Sequence, residues 1–213
     1  MAILFTFLIG TLLAYLVCRA KSERARAVID TILTIPLVLP PTVAGFFLLY
    51  IFGVNRPLGE LLAELGVRLV FSWPATVLAA VVIALPLMYR SARAAFSQVD
   101  PVYLEAARTI GLSELKIVTK LLAPLAAPGL VSGGVISFSR GLGEFGATAI
   151  IAGNIAGVSR TMPLAIYSAV AGGREEEAYG YVILLVVVSF LLVLSISIFT
   201  EARTGRYRLK TRV

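Results

Sequence analysis

The chain has 213 residues, of which 59% are hydrophobic and 15% charged, and its net charge is +7. A soluble domain typically has about 45–50% apolar and about 25% charged residues, so this composition excludes a water-soluble single domain and indicates a chain surrounded by lipid. Histidine is absent and cysteine occurs once, which excludes imidazole catalysis, an internal disulfide and a cysteine-held metal cluster.

Five stretches are apolar enough to predict membrane-spanning helices, each of which needs about 20 apolar residues. They lie at residues 2–18, 28–52, 75–88, 129–152 and 178–200. The first is slightly short, and the third continues through small residues toward position 96. Pro36, Pro40 and Pro41 interrupt the second, whereas Arg140 and Glu144 lie within the fourth. We therefore predict an all-α membrane protein that forms a single domain over residues 1–213.

The polar connections between these stretches alternate in positive charge. Fourteen Lys and Arg residues lie in segments 19–26, 89–124 and 201–213, against four in segments 53–74 and 153–177. Because cytoplasmic loops carry the excess of Lys and Arg, the amino terminus is predicted to lie outside and the carboxyl terminus in the cytoplasm. Five crossings require the same arrangement. The net charge is thus explained without nucleic acid.

The predicted cytoplasmic loop at about 97–124 has the pattern of two short helices. Asp100 followed by Pro101 is typical of a helix start, and Gly111 is typical of a helix end. A second helix is predicted to begin near Ser113 and to end before Pro124. Two interpretations fit this pattern. One is an amphipathic hairpin on the membrane surface, and the other is a docking element for a soluble partner.

Arg140 and Glu144 are four residues apart, which places them on one face of the predicted fourth span. Ionisable groups at such depth face protein or a water-filled cavity. They form either a structural ion pair between packed helices or the wall of a pathway or gate. A second span bent at its prolines is a reasonable wall of the same pathway, and packing alone is the alternative interpretation.

Five glycines in the fourth span are predicted to allow close approach between helices: Gly129, Gly133, Gly141, Gly143 and Gly146. The last three also match the spacing of a dinucleotide-binding glycine loop. No strand precedes them, and an apolar span is the wrong context for such a loop, so we do not interpret them as a nucleotide site.

Two sets of residues carry a resemblance to a known family. Glu105-Ala106-Ala107, then Gly111, then LLAP at residues 121–124 resembles the EAA loop of ABC importer permeases, although alanine stands at position 123 where leucine is usual. Molybdate permease subunits are resembled by residues 37–43 (LVLPPTV), 71–73 (FSW), 141–148 (GLGEFGAT), and 153–154 (GN) followed by 160–167 (RTMPLAIY). The GEFGA stretch is shared with sulfate and thiosulfate permeases, so it indicates an oxyanion importer more firmly than molybdate itself.

This resemblance implies a type I ABC importer permease fold, with about five transmembrane helices and a cytoplasmic coupling-helix loop that sits in a groove of an ATP-binding subunit. The docking residues that it implies are Glu105, Ala106, Ala107, Gly111, Leu115 and Pro124. The candidates for the pathway or gate are Pro40, Pro41, Thr42, Arg140, Gly143, Glu144 and Gly146.

The expected function is that of a permease subunit in the cytoplasmic membrane that imports molybdate, with tungstate as a further cargo of the same kind. No phosphate-binding loop of the Walker type occurs in the sequence, so ATP and Mg²⁺ are expected on a partner subunit and no cofactor on this chain. The expected partners are a second copy of the chain, two ATP-binding subunits, an extracytoplasmic binding protein and membrane lipid. A sulfate or thiosulfate permease is the alternative, and an ATP-independent channel or carrier is a more remote one.

Overall fold

The computed structural model describes residues 1–210, with side chains described to Ser195 and at Ile198. Every regular element in that range is helical. The helices are α1 (Ala2–Cys18), α2 (Glu23–Val38), α3 (Pro41–Phe52), α4 (Pro57–Glu64), α5 (Trp73–Ser97), α6 (Pro101–Thr109), α7 (Glu114–Ile117), a π-helical turn (Val118–Leu122), α8 (Ala123–Leu142), α9 (Gly146–Ile151), α10 (Met162–Ala171) and α11 (Glu175–Lys210).

Helix α5 lies at the centre of the molecule, where it packs most extensively against α1 and α8. Small residues allow these helices to approach closely. A Cβ atom added at Gly10 would come within 2.8 Å of the Met88 side chain, and one added at Gly129 within 2.6 Å of the Ala95 Cβ. At Gly133 the nearest atom, the Ser91 Cβ, would be 2.5 Å away. The predicted close approach at Gly129 and Gly133 is therefore confirmed.

The second predicted span is divided into α2 and α3, and the direction of the helix axis changes by 113° between them. Leu39 and Pro40 are extended at the junction, with ψ angles of 142° and 136°. The residue before a proline is driven out of the helical region, and here two prolines follow one another. The predicted interruption by Pro40 and Pro41 is confirmed, but the bend is a break between two helices rather than a kink within one. Pro36 lies inside α2.

The sequence predicts that the second loop helix ends before Pro124, and this prediction is wrong. Instead, α7, the π-helical turn and α8 form one continuous helix over Glu114–Leu142. A proline ring clashes with the carbonyl four residues earlier in a regular α-helix, and the wider π-turn immediately before Ala123 relieves this constraint. The pair of short helices α6 and α7 is thus joined to the next long apolar helix without a break.

The prediction of one helix over residues 129–152 is wrong. Helix α8 ends at Leu142, and the short helix α9 begins at Gly146. Glycine is a poor helix former, and two glycines flank Leu142. Consequently Arg140 and Glu144 do not share one helix face. Gly141 and Gly143 also do not mediate close packing, because an added Cβ would meet its nearest atoms only at 3.8 and 4.0 Å.

Three helices of the described chain are long and apolar enough to cross a membrane: Trp73–Ser97, Glu114–Leu142 and the first part of α11, Glu175–Ser195. The bent pair α2–α3 would be a fourth. Helix α1 has 17 residues and a length of about 26 Å, a little less than the hydrocarbon thickness of about 30 Å. Two shorter helices, α4 and α10, lie outside the five predicted spans.

Candidate functional site

The two short helices α6 and α7 form a hairpin, residues 101–117, at one end of the molecule. The Asp100 carboxylate caps α6 by accepting a hydrogen bond from the Val102 N–H at 2.9 Å. At the other end of α6, Gly111 has a φ of +81°, and the Leu112 N–H donates to the Ala107 carbonyl at 3.1 Å. This pattern of hydrogen bonds is the glycine-terminated helix end that the sequence predicts.

The outer surface of the α6–α7 hairpin is apolar although it is exposed. Leu115 is 74% exposed and Ile110 76% exposed. Val102, Tyr103 and Leu112 are also exposed large apolar residues. An exposed apolar patch of this kind marks an interaction surface.

The predicted docking residues are distributed over both sides of this hairpin. Glu105, Ala106 and Gly111 are exposed, as is Leu115, which belongs to the apolar patch. Ala107 is buried, which places it on the inner face of α6. Pro124 is exposed but lies on α8, beyond the π-helical turn.

Glu114 connects the hairpin to the end of α1. Its carboxylate accepts a hydrogen bond from the Arg108 Nε at 2.8 Å and lies 3.1 Å from the Arg19 guanidinium. The hydrogen bond from Arg108 lowers the pKa of Glu114 below its ordinary value, and the positive charge of Arg19 adds to this effect. Glu114 therefore stays ionised at neutral pH and holds two elements together through one carboxylate.

The predicted pathway residues meet where two helices are broken. A Cβ added at Gly146 would lie 3.0 Å from the Pro41 Cβ and 3.2 Å from the Thr42 backbone nitrogen, so the start of α9 packs directly on the start of α3. Gly45 of α3 lies closer still to α9, because its added Cβ would be 2.7 Å from the Ala147 Cα. Gly146 is buried, whereas Pro40, Thr42 and Gly143 are exposed.

Glu144 is buried between these breaks and has two partners. One carboxylate oxygen lies 3.0 Å from Arg140 Nη1, and the other accepts a hydrogen bond from the Ala147 N–H at 2.8 Å. The side chain of Glu144 is 2% exposed, whereas that of Arg140 is 32% exposed. The predicted ion pair is present, and the carboxylate also caps α9. A cavity of about 300 Å³ lies beside it, with Thr76, Thr148 and Thr161 among its lining residues.

One cluster of charged residues was not identified from the sequence. Asp30 on α2 accepts hydrogen bonds from the Tyr89 hydroxyl and the Arg93 guanidinium, both on α5. Tyr89 is buried, and Arg93 lies one helical turn further along α5. The available signal was a lone carboxylate within an apolar stretch, which requires a partner in such surroundings.

Comparison with protein families gives a match over nearly the whole chain. The family described as binding-protein-dependent transport system inner membrane component matches residues 6–208. The chain is 42% identical to YvgM of Bacillus subtilis (strain 168), provisionally named a molybdenum transport permease, over 87% of this chain and 82% of YvgM. It is 37% identical to the molybdenum transport system permease protein ModB of Escherichia coli (strain K12), over 97% of this chain and 92% of ModB.

A relative with another named substrate is more distant. The sulfate transport system permease protein CysT of Salmonella typhimurium is 31% identical over 96% of this chain and 73% of CysT. Among solved structures, a chain of the inward-facing MetNI methionine ABC transporter matches with a TM-score of 0.71. That match has 20% sequence identity and covers 94% of this chain and 88% of the MetNI chain, so it concerns the fold alone.

Proposed function

Because this chain belongs to the family of inner membrane components of binding-protein-dependent transport systems, we propose that it is the permease subunit of an ATP-driven importer for molybdate. The observation that carries the choice of cargo is the 37% identity to a molybdenum permease over 97% of this chain. The lower identity of 31% to a sulfate permease makes sulfate the second candidate. Both are tetrahedral oxyanions, so the same pathway chemistry serves either.

The α6–α7 hairpin is the proposed contact with an ATP-binding subunit. Its exposed apolar residues would fill a groove in the partner, with Glu105, Ala106, Gly111 and Leu115 at the contact. Ala107 would support the contact from behind, since it is buried. The continuous helix from Glu114 to Leu142 would carry a displacement of the hairpin to the other end of the molecule without an intervening hinge.

The meeting point of α3 and α9 is the proposed gate. Broken helices are tolerated within a membrane where their free backbone groups face protein or a water-filled pathway. Pro40, Pro41 and Thr42 form one side of this junction, and Gly143, Glu144 and Gly146 form the other. The Glu144 carboxylate would repel an oxyanion, so we assign it, with Arg140, to shaping the gate rather than to binding the cargo.

The complete transporter would contain two copies of this chain, two ATP-binding subunits that hold ATP and Mg²⁺, and an extracytoplasmic binding protein that selects the oxyanion. The positive-charge asymmetry supports an orientation with the amino terminus outside and the hairpin in the cytoplasm. ATP binding would close the two ATP-binding subunits and move the hairpins, switching the bundle between inward-open and outward-open states.

The docking assignment is tested by adding a methyl group at Gly111. Gly111→Ala introduces a side chain at a φ of +81° on the proposed contact surface, where nothing in this chain lies within 4 Å. Gly66→Ala is the matched control, because Gly66 has a φ of +77°, has equally open surroundings and lies in a different loop. Both carry a similar backbone strain of about 1–2 kcal/mol.

We expect Gly111→Ala to reduce ATP-driven molybdate uptake about tenfold while the chain still inserts, because an added methyl group at a packed contact typically costs about 1–3 kcal/mol. Gly66→Ala should keep the uptake of the parent protein. Equal uptake in the two variants would contradict the docking assignment.

A further inference from the structure

A cavity of about 510 Å³ lies between the end of α1, the end of α5 and the α6–α7 hairpin. Four arginines from four different parts of the chain line it: Arg19, Arg26, Arg93 and Arg108. We call it the arginine cavity. It lies where the apolar segments of α1 and α5 end, which is the level of the lipid headgroups if the chain is oriented as proposed.

The positive charge of the arginine cavity is only partly neutralised. Glu114 is the one carboxylate among its lining residues, and it is shared by Arg19 and Arg108. Arg93 is paired with Asp30, which lies behind the lining. Four guanidinium groups against these two carboxylates leave an excess of two positive charges.

Arg26 is the arginine of this cavity that has no carboxylate partner among the described side chains. One of its terminal nitrogens donates a hydrogen bond to the Ala20 carbonyl at 2.8 Å. Its Nε atom is buried and has no hydrogen-bond partner. The charge of Arg26 is thus not neutralised within the described part of the chain, and a guanidinium that lines a cavity in this state favours an anionic ligand there.

Most of the remaining lining residues are apolar, and they include Phe96, Leu104, Ile117 and Leu122. A bare tetrahedral anion would occupy a small part of the cavity and would leave these residues uncovered. A ligand with a phosphate group and an adjoining apolar part would contact both kinds of lining. The planar guanidinium group of arginine binds phosphate oxygens in pairs, and basic pockets between membrane helices on the cytoplasmic side bind acidic lipid headgroups.

We propose that the arginine cavity binds the phosphodiester headgroup of an acidic phospholipid, with Arg26 as a direct ligand. The bound headgroup lies beside the Arg19–Glu114–Arg108 link, so it reinforces the connection between α1 and the hairpin. The placement of the cavity in the cytoplasmic leaflet rests on the proposed function, but the binding chemistry does not. A binding measurement can therefore fail or succeed independently of transport.

The test is native mass spectrometry of the purified transporter complex after exchange into phosphatidylcholine nanodiscs with and without phosphatidylglycerol. We expect the parent complex to retain phosphatidylglycerol, and Arg26→Gln to weaken its retention about tenfold, as for the loss of one charge-assisted hydrogen-bonding group. Arg26→Lys should restore part of the retention because it keeps the charge but not the planar donor group.

Arg24→Gln is the matched control. It removes the same charge from an exposed position on α2 that does not line the cavity, and it should retain the lipid as the parent does. Equal retention by Arg26→Gln and the parent would overturn the proposal, and so would an equal loss in Arg24→Gln. Complete displacement of the lipid by inorganic phosphate or molybdate would also overturn it, because the cavity would then be a site for a free oxyanion.

Discussion

At the scale of single residues, buried charge is placed where a helix has been interrupted. Glu144 lies in the irregular segment between α8 and α9, where its carboxylate pairs with the Arg140 guanidinium and accepts a hydrogen bond from the Ala147 N–H. Removal of a buried carboxylate that interacts with two donors leaves those donors unpaired. Glu144 thus stabilises the irregular backbone between α8 and α9 that the proposed gate requires.

Substitution of Glu144 separates the contribution of its ion pair with Arg140 from that of its hydrogen bond with the Ala147 N–H. Glu144→Gln keeps an oxygen for the Ala147 N–H but loses the ion pair, whereas Glu144→Ala loses both. We expect Glu144→Ala to reduce the free energy of unfolding by about 2–3 kcal/mol, and Glu144→Gln to reduce it by roughly half as much. Thermal unfolding in detergent measures the difference. If the two variants unfold at the same temperature, the hydrogen bond to Ala147 contributes nothing.

The ion pairs of Glu114 predict how the α6–α7 hairpin responds to pH. The pKa of Glu114 is lowered by the Arg108 hydrogen bond, so its contribution to the folded hairpin is fully present above the ordinary glutamate pKa of about 4.3. That contribution is lost only as the pH falls through the still lower pKa of the folded state.

Hydrogen exchange of the amides in residues 101–117 should therefore show the same protection from about pH 8 to about pH 5, after correction for the intrinsic exchange rate. Glu114→Gln should lower this protection throughout the range, because the neutral amide cannot form the two ion pairs. A midpoint near neutral pH in the parent protein would contradict the assignment of Glu114 as the connecting group.

At the scale of elements, local signals predicted helix ends better than helix continuity. Asp100, Pro101 and Gly111 determine their own surroundings, so the boundaries of α6 could be predicted. The break between α8 and α9 could not, because hydropathy measures apolarity and not whether one helix continues. The glycines that flank Leu142 permit that break, but α9 also packs through Gly146 against α3, which is distant in sequence.

The contact between α3 and α9 predicts different outcomes for alanine substitutions at two nearby glycines. Gly146→Ala would place a methyl group 3.0 Å from the Pro41 Cβ and 3.2 Å from the Thr42 nitrogen, so one of the two elements must shift. Gly143→Ala meets its nearest atom at 4.0 Å and has a φ of −88°, which alanine adopts readily.

We expect Gly146→Ala to lower the unfolding temperature and the uptake rate, with a loss of about 1–3 kcal/mol typical of overpacking. Gly143→Ala should remain close to the parent in both measurements. The assignment of the α3–α9 junction as the gate would be contradicted if Gly146→Ala transported normally despite its lower stability.

At the scale of the whole molecule, composition and charge predicted an all-α membrane protein, and the resemblance of its motifs to ABC importer permeases implied the fold. The all-α importer permease fold predicted from the sequence is confirmed by the family match over residues 6–208 and by the MetNI likeness at a TM-score of 0.71. The Asp30–Tyr89–Arg93 cluster and the arginine cavity could not be predicted in the same way. Both bring together residues from separate helices, and only the packing of α1, α2 and α5 shows that they meet.

A single copy of the chain leaves large apolar helix faces uncovered. Most of the large apolar side chains of α1 and of the described part of α11 are exposed, so they require lipid or another copy of the chain. A single copy has few helices with which to enclose a route for an anion. This is the physical reason for proposing two copies and for expecting no transport by one chain without its partners.

The most direct test of the central claim is uptake of radioactive molybdate into proteoliposomes that contain this chain, its ATP-binding subunit and the corresponding binding protein. We predict uptake that requires ATP on the side of the hairpin, requires the ATP-binding subunit, and persists in the presence of excess sulfate. Molybdate flux through this chain without ATP or its partner subunit would contradict the account, and complete competition by sulfate would change the assigned cargo.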